Sequence, residues 1–185
     1  DTGMAGVDMD AQSVELVRAD GSRVAGRAAN DGSSIARWQL DAPLATDGSA
    51  DGGYAVSIRA VDRAGNVESV EYDIVYDTVA PALTASTPSD GSAISATLGT
   101  IRATVTDGGS GIDPSATNLA LTGPTGGQVA GRLSYDGSDG FSFEIEGRLT
   151  DVGRYRLVGA FVDRAGNSRI ADLAFFHAAN TPSVG

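Results

Sequence analysis

The sequence contains no cysteine, so it has no disulfide, no zinc-thiolate site and no thiol nucleophile. It also contains no lysine, and all 13 of its basic residues are arginine. No apolar run approaches the roughly 20 residues that a membrane-spanning helix needs. The first ten residues, DTGMAGVDMD, do not have the pattern of a signal peptide. We therefore expect no membrane insertion.

The charge is strongly one-sided, with 24 acidic residues against 13 basic ones and a net charge of −11. Such a surface repels nucleic acids and anionic membranes, so neither is expected as a partner. Aspartate is far more common than glutamate, and it often precedes glycine, as is typical of turns. With 25 glycines and 6 prolines, the composition disfavours helices and favours short strands joined by tight turns.

An internal repeat predicts two domains. The hexapeptide VDRAGN occurs at residues 61–66 and again at 162–167, and VAGR occurs at 24–27 and at 129–132. Repeated motifs at a nearly constant offset indicate two copies of one structural unit. We place the domains at residues 1–79 and 80–185.

The first copy has no counterpart of residues 80–106. This segment contains two predicted strands, PALTAS and TIRATVT. We therefore expect the first domain to be incomplete, lacking its N-terminal strands. The junction between the copies is short, and Pro81 cannot donate a hydrogen bond to a sheet.

Alternating apolar and polar residues predict strands with one buried face and one solvated face. In FSFEIEG, Phe141, Phe143 and Ile145 point inward, whereas Glu144 and Glu146 point outward. The other predicted strands are SVELVR, SIARWQL, YAVSIRAVD, EYDIVYD, NLALT, YRLVGAFVD and RIADLAFFH. A sheet with one buried face and one solvated face is typical of antiparallel strands. The predicted fold is therefore all-β, with two tandem β-sandwiches.

The end of each repeat resembles the end of a bacterial immunoglobulin-like (Ig-like) domain. In that family a tyrosine opens one strand, and Asp-x-Ala-Gly-Asn forms the hairpin into the last strand. DVGRY at 151–155 resembles the tyrosine corner of such folds. In the first copy, Asp51 lies three residues before Tyr54 instead of four. DTVAP and TPSDGS are similar to the junctions of tandem bacterial surface modules. The resemblance implies tandem Ig-like domains of a secreted or cell-surface bacterial protein, located outside the cell or on its surface.

No residue pattern predicts catalysis. His177 is the single histidine, it lies at the end of a predicted strand, and no nucleophile-elbow motif accompanies it. The DRAGN motif is explained by a turn, in which glycine supplies positive φ and Asp62 or Asp163 accepts backbone N–H groups. We therefore expect no enzyme activity and no organic cofactor.

Acidic turns raise one alternative to this interpretation, because calcium takes six to eight oxygen ligands. The candidate ligands are Asp8, Asp10, Asp47, Asp51 and Asp77. None of them has the full spacing of an EF-hand loop, and RTX-type glycine repeats are absent from the sequence. Plain Asp-Gly turns are the competing explanation.

The predicted function is a non-catalytic extracellular module that serves as a structural spacer or as an adhesion or interaction segment. Its expected partners are neighbouring Ig-like repeats of the same polypeptide, together with another protein bound through an open sheet edge. One alternative is an accessory segment of a secreted enzyme. Another is a strand-complemented subunit of a surface filament or sheath. Glycan binding is disfavoured, since the sequence has 1 tryptophan and most aromatic residues occupy inward positions.

Overall fold

A computed structural model describes residues 6–30, 36–95 and 97–179, and every regular element in these ranges is a β-strand. The chain divides into two compact units, Asp1–Thr78 and Val79–Gly185. The boundary predicted from the repeat, between residues 79 and 80, lies one residue later. Residues 34 and 35 of the predicted strand SIARWQL lie outside the described residues.

The first unit has two small antiparallel sheets. Strand β4 lies between β1 and β5 in one sheet, and β2 pairs with β3 in the other. The buried cluster between them is formed by Leu16, Val24 and Tyr54, with Trp38 packed against it. The strands are β1 (Ser13–Arg18), β2 (Gly26–Asn30), β3 (Ala36–Leu40), β4 (Gly52–Val61) and β5 (Val67–Tyr76).

The second unit is a larger β-sandwich of the Ig-like class. One sheet has the order β10-β9-β13-β14-β7 and the other β11-β12-β8-β6. All pairings are antiparallel except that of β7 with β14, which is parallel. The strands are β6 (Ala82–Thr87), β7 (Ala93–Ile94), β8 (Thr100–Thr106), β9 (Asn118–Thr122), β10 (Gln128–Val129), β11 (Gly131–Tyr135), β12 (Gly140–Ile145), β13 (Gly153–Val162) and β14 (Ser168–His177).

The core of the second unit follows the alternation in the sequence. Phe141, Phe143 and Ile145 are buried, whereas Glu144 and Glu146 are exposed, as predicted for FSFEIEG. The two faces meet in two adjoining buried clusters. The first contains Ile101, Leu121, Phe143, Ile145, Leu149, Tyr155, Leu157, Leu173 and Phe175, and the second contains Ala103, Val105, Ile112, Phe141, Phe161 and Ala171.

The internal repeat is a structural repeat. Strands β1 to β5 of the first unit correspond in order to β9, β11, β12, β13 and β14 of the second. Even an isolated pairing recurs, since Val7 bridges Asp62 in the first unit and Ile112 bridges Asp163 in the second. The second unit adds β6, β7 and β8, in the segment that the first copy lacks. The sequence predicted two strands there and missed the two-residue β7.

Candidate functional site

The DRAGN motif forms the same hydrogen-bonded turn in both units. A carboxylate oxygen of Asp62 accepts the backbone N–H of Asn66 at 2.8 Å, and the other accepts the Asn66 side chain at 2.7 Å. In the second unit, Asp163 holds Asn167 in the same way, at 2.8 and 2.9 Å. The predicted role of both aspartates is confirmed, and it is a structural one.

Glycine is required in this turn because the backbone is left-handed, with φ of 87° at Gly65 and 91° at Gly166. A Cβ built on Gly166 meets no atom within 4 Å, so the constraint there is conformational and not steric. The positive φ predicted for these glycines is confirmed.

Replacing Gly166 with valine is expected to lower the free energy of unfolding of the second unit by about 1–3 kcal/mol, because a β-branched residue is strained at positive φ. Gly108→Val is the matched control, since Gly108 has open space and no left-handed φ. Its effect is expected to stay within about 0.5 kcal/mol. Chemical denaturation of both variants measures the difference, and equal midpoints would refute the turn argument.

Both units contain a tyrosine corner. The hydroxyl of Tyr155 donates to the carbonyl of Asp151 at 3.1 Å, and that of Tyr54 donates to the carbonyl of Ala50 at 2.5 Å. The acceptor is a backbone carbonyl four residues upstream in each case, so the displacement of Asp51 in the sequence does not prevent the contact. The corner fixes the chain where it enters β4 and β13.

The first two calcium candidates belong to one local turn. A carboxylate oxygen of Asp8 accepts the backbone N–H groups of Asp10 and Ala11, at 3.0 and 3.3 Å. Asp10 itself is exposed. This is the hydrogen bonding of an ordinary Asx turn.

The remaining candidates lie in the second half of the first unit. Asp47 accepts the N–H and the hydroxyl of Ser49, at 3.0 and 2.6 Å. Asp51 accepts the N–H and the hydroxyl of Thr78, both at 2.9 Å. Asp77 is buried. Among the described residues, no three of the five candidates bring their carboxylate oxygens within 4.8 Å of one another. Calcium binding by this set stays a prediction.

Two acids outside the five calcium candidates, Asp107 and Asp163, lie close together in the second unit. A carboxylate oxygen of Asp107 lies within 4.8 Å of one of Asp163, whose side chain is 1% exposed. Asp107 also accepts the backbone N–H groups of Gly109 and Gly111, at 3.2 and 2.6 Å.

Hydrogen bonds to ionised carboxylates lower several pKa values. The side chain of Asn66 and then its backbone N–H hold the pKa of Asp62 below 3.8, its ordinary value. The hydroxyl of Ser49 has the same effect on the pKa of Asp47. The pKa of Asp172 is lowered chiefly by its hydrogen bonds with Arg156, at 2.7 and 2.6 Å. Each contact therefore stabilises the fold only while the carboxylate is ionised.

Acidification is expected to destabilise the protein. Because these pKa values are lowered in the folded state, the unfolded chain binds more protons, and their contribution is lost as pH falls from about 5 through the range below 3.8. Urea midpoints measured from about pH 6 to pH 2.5 in added salt, which screens the net charge, should decline. Asp172→Asn should flatten part of the decline in the second unit. Unchanged midpoints throughout would contradict the expectation.

His177 has structural contacts at the end of β14. Its Nδ1 lies 3.2 Å from the carbonyl oxygen of Asp151, and its ring lies edge-on to Tyr155, with centroids 6.2 Å apart. The imidazole therefore packs beside the tyrosine corner, as expected for a histidine at a strand end.

Comparisons with known proteins find similarity among solved structures. No family model matches this chain, and no curated protein matches it significantly. Among solved structures, CopC from Methylosinus trichosporium OB3b is similar at 16% identity, covering 55% of this chain and 96% of CopC, with a TM-score of 0.47. The methionine-rich copper resistance protein PcoC from Escherichia coli is 17% identical over 54% of this chain and 99% of PcoC, with a TM-score of 0.46.

A two-domain structure is also similar. The N-terminal Ig1-2 module of the Drosophila receptor protein tyrosine phosphatase DLAR is 15% identical, over 96% of this chain and 92% of the module, with a TM-score of 0.29. A search of the described residues for helices long and apolar enough to cross a membrane finds none.

Proposed function

We propose that this chain is a non-catalytic, extracellular Ig-like repeat module that acts as a load-bearing spacer in a surface polypeptide. The observation that carries the proposal is the parallel pairing of β7, the second strand of the second unit, with β14, its last strand. Neighbouring repeats of the same polypeptide are its proposed partners.

The parallel pairing of β7 with β14 determines how these two strands respond to tension. Tension that reaches β7 from its N-terminal side and β14 from its C-terminal side draws the two strands in opposite directions along their lengths. The hydrogen bonds between them are then loaded together in shear and not broken one after another. These bonds run from Gly91 N to Ala174 O at 2.7 Å, from Phe176 N to Ser92 O at 2.8 Å and from Ala178 N to Ile94 O at 2.8 Å.

The polar side chains support a non-catalytic role. Asp62 and Asp163 are occupied by the DRAGN turns, Asp51 holds Thr78, and His177 packs beside Tyr155. Each of these contacts stabilises a turn or a strand end. These four side chains are therefore engaged in contacts that stabilise the fold.

Single-molecule force measurements test the spacer proposal. The chain is pulled either through handles at its two ends or through a handle at Val152→Cys and one at the C-terminus. The absence of native cysteine makes the single attachment point specific. In the second geometry β14 is peeled away from β13, starting at the pair formed by Gly153 and His177. We expect the end-to-end geometry to require a several-fold higher force.

The increase in contour length identifies the unit that has unfolded, because unfolding about 100 residues lengthens the chain by roughly 330–360 Å. Equal forces in the two geometries, or a lower force from the chain ends, would refute the load-bearing role. The proposal does not depend on whether the first unit resists force.

A further inference from the structure

Strand β5 exposes an apolar face that its counterpart in the second unit buries. Val70, Tyr72 and Ile74 pair with Ile58, Val56 and Tyr54 of β4, so all three belong to the face that carries the buried Tyr54. Their side chains are 39%, 57% and 45% exposed. The equivalent residues of β14 are Ala171, Leu173 and Phe175, which are 1%, 7% and 3% exposed. We call Val70, Tyr72 and Ile74 the β5 face.

In the second unit, the segment that covers this position is known. Strands β6, β7 and β8 precede the part of the unit that is repeated. Ile101 of β8 packs in one cluster with Leu173 and Phe175, and Ala103 and Val105 pack in the other with Ala171. The apolar positions of β8 therefore bury the β14 equivalent of the β5 face.

The same segment closes two sheet edges. Strand β7 pairs with β14 through Phe176 and His177, and β8 pairs with β12 through Ile101 opposite Phe143. In the first unit the equivalents of β14 and β12 are β5 and β3. Among the described residues, β5 pairs only with β4, and β3 pairs only with β2. In the first unit, the exposed β5 face and the open edges of β5 and β3 therefore lie at the positions that residues 80–106 cover in the second unit.

We propose that the β5 face is the docking site of a strand-forming segment with the pattern of residues 80–106, carried ahead of the first unit in the same polypeptide. One of its strands pairs with β5 in parallel, a second pairs with β3, and their apolar side chains cover Val70, Tyr72 and Ile74. The topology favours a segment of the same polypeptide, because in the second unit the covering segment is followed directly by the part of the chain that is repeated. This inference is independent of the spacer proposal.

Charge favours this segment over a second copy of the chain as the occupant of the β5 face. Strand β5 carries no basic residue. Glu68 lies on the same side as the β5 face, and Glu71 and Asp73 lie on the opposite side. The whole chain has a net charge of −11. A second copy would bring like charges together. Residues 80–106 contain one acid, Asp90, and one base, Arg102, and are therefore neutral overall. A neutral, alternately apolar segment suits this surface.

The test adds a copy of residues 80–106 directly ahead of residue 1 of the full chain and measures access to the β5 face. Ile74→Cys provides the only thiol, and its rate of alkylation reports exposure. We expect the added segment to slow alkylation at least tenfold. Glu71→Cys, on the opposite face of β5, should react at an unchanged rate. Hydrogen exchange of the β5 amides should slow in parallel.

A matched control carries the same added segment with aspartate in place of its copies of Ile101, Ala103 and Val105. It has the same length, but it cannot cover an apolar face. Equal alkylation of Ile74→Cys in the two extended chains would overturn the proposal. So would protection of this thiol in the unextended chain through a dimer that Tyr72→Arg dissociates, because the occupant would then be a second copy.

Discussion

Residues 80–179 expressed alone are expected to unfold in one cooperative transition, whereas residues 1–79 expressed alone are not. The second unit buries two clusters of large side chains between its sheets, but the buried cluster of the first unit consists of Leu16, Val24 and Tyr54. A small domain that buries little apolar surface cannot offset the conformational entropy lost on folding.

Thermal melts of the two fragments, followed by circular dichroism, measure this difference. The intact chain serves as the reference for both transitions. A sharp melt from residues 1–79 together with none from 80–179 would reverse the assignment of the stable unit.

Truncating Phe161 to alanine is expected to destabilise the second unit by about 3–5 kcal/mol, because it leaves a cavity in a close-packed core. Phe161 is 0% exposed, and its ring centroid lies 5.3 Å from that of Phe141. The control is Phe176→Ala on β14, since the side chain of Phe176 is 46% exposed. We expect the control to cost less than about 1 kcal/mol.

Urea denaturation of both variants gives the two free energies of unfolding. Similar losses of unfolding free energy from Phe161→Ala and Phe176→Ala would show that burial does not decide how much each side chain contributes to stability.

Most strands could be predicted because their signal is local. Alternation in FSFEIEG, YRLVGAFVD and RIADLAFFH marks one face for burial whatever the sheet order is, and β12, β13 and β14 lie there. The turn at Gly166 was also predictable, since DRAGN needs only neighbouring residues to form it.

Other strands carry too little local signal. Strand β7 has two residues, which is too short for any alternation, and it exists because its partner β14 is there. Strands β2 and β11 begin with glycine and lie against β3 and β12. Their positions follow from pairing with distant residues, and single-sequence patterns do not contain that information.

The sequence by itself determined the all-β class, the two repeats and the turns, because these depend on periodicity, on glycine at left-handed positions and on motifs read at short range. It also indicated that one repeat lacks a segment. Only the tertiary structure decided what that difference exposes. Val70, Tyr72 and Ile74 alternate as a buried strand would, yet they are exposed, because burial depends on which other strands pack against them.

The same reason applies to the acidic residues. The sequence selected five aspartates as calcium candidates, namely Asp8, Asp10, Asp47, Asp51 and Asp77. In the structure Asp8 and Asp10 share one turn, Asp47 accepts from Ser49, and Asp51 accepts from Thr78, 27 residues further along the chain. Asp107 and Asp163 are far apart in the chain but lie within 4.8 Å of one another, because the turn after β8 and the hairpin after β13 meet at one end of the sandwich. Proximity of this kind is set by the packing of sheets and not by spacing along the sequence.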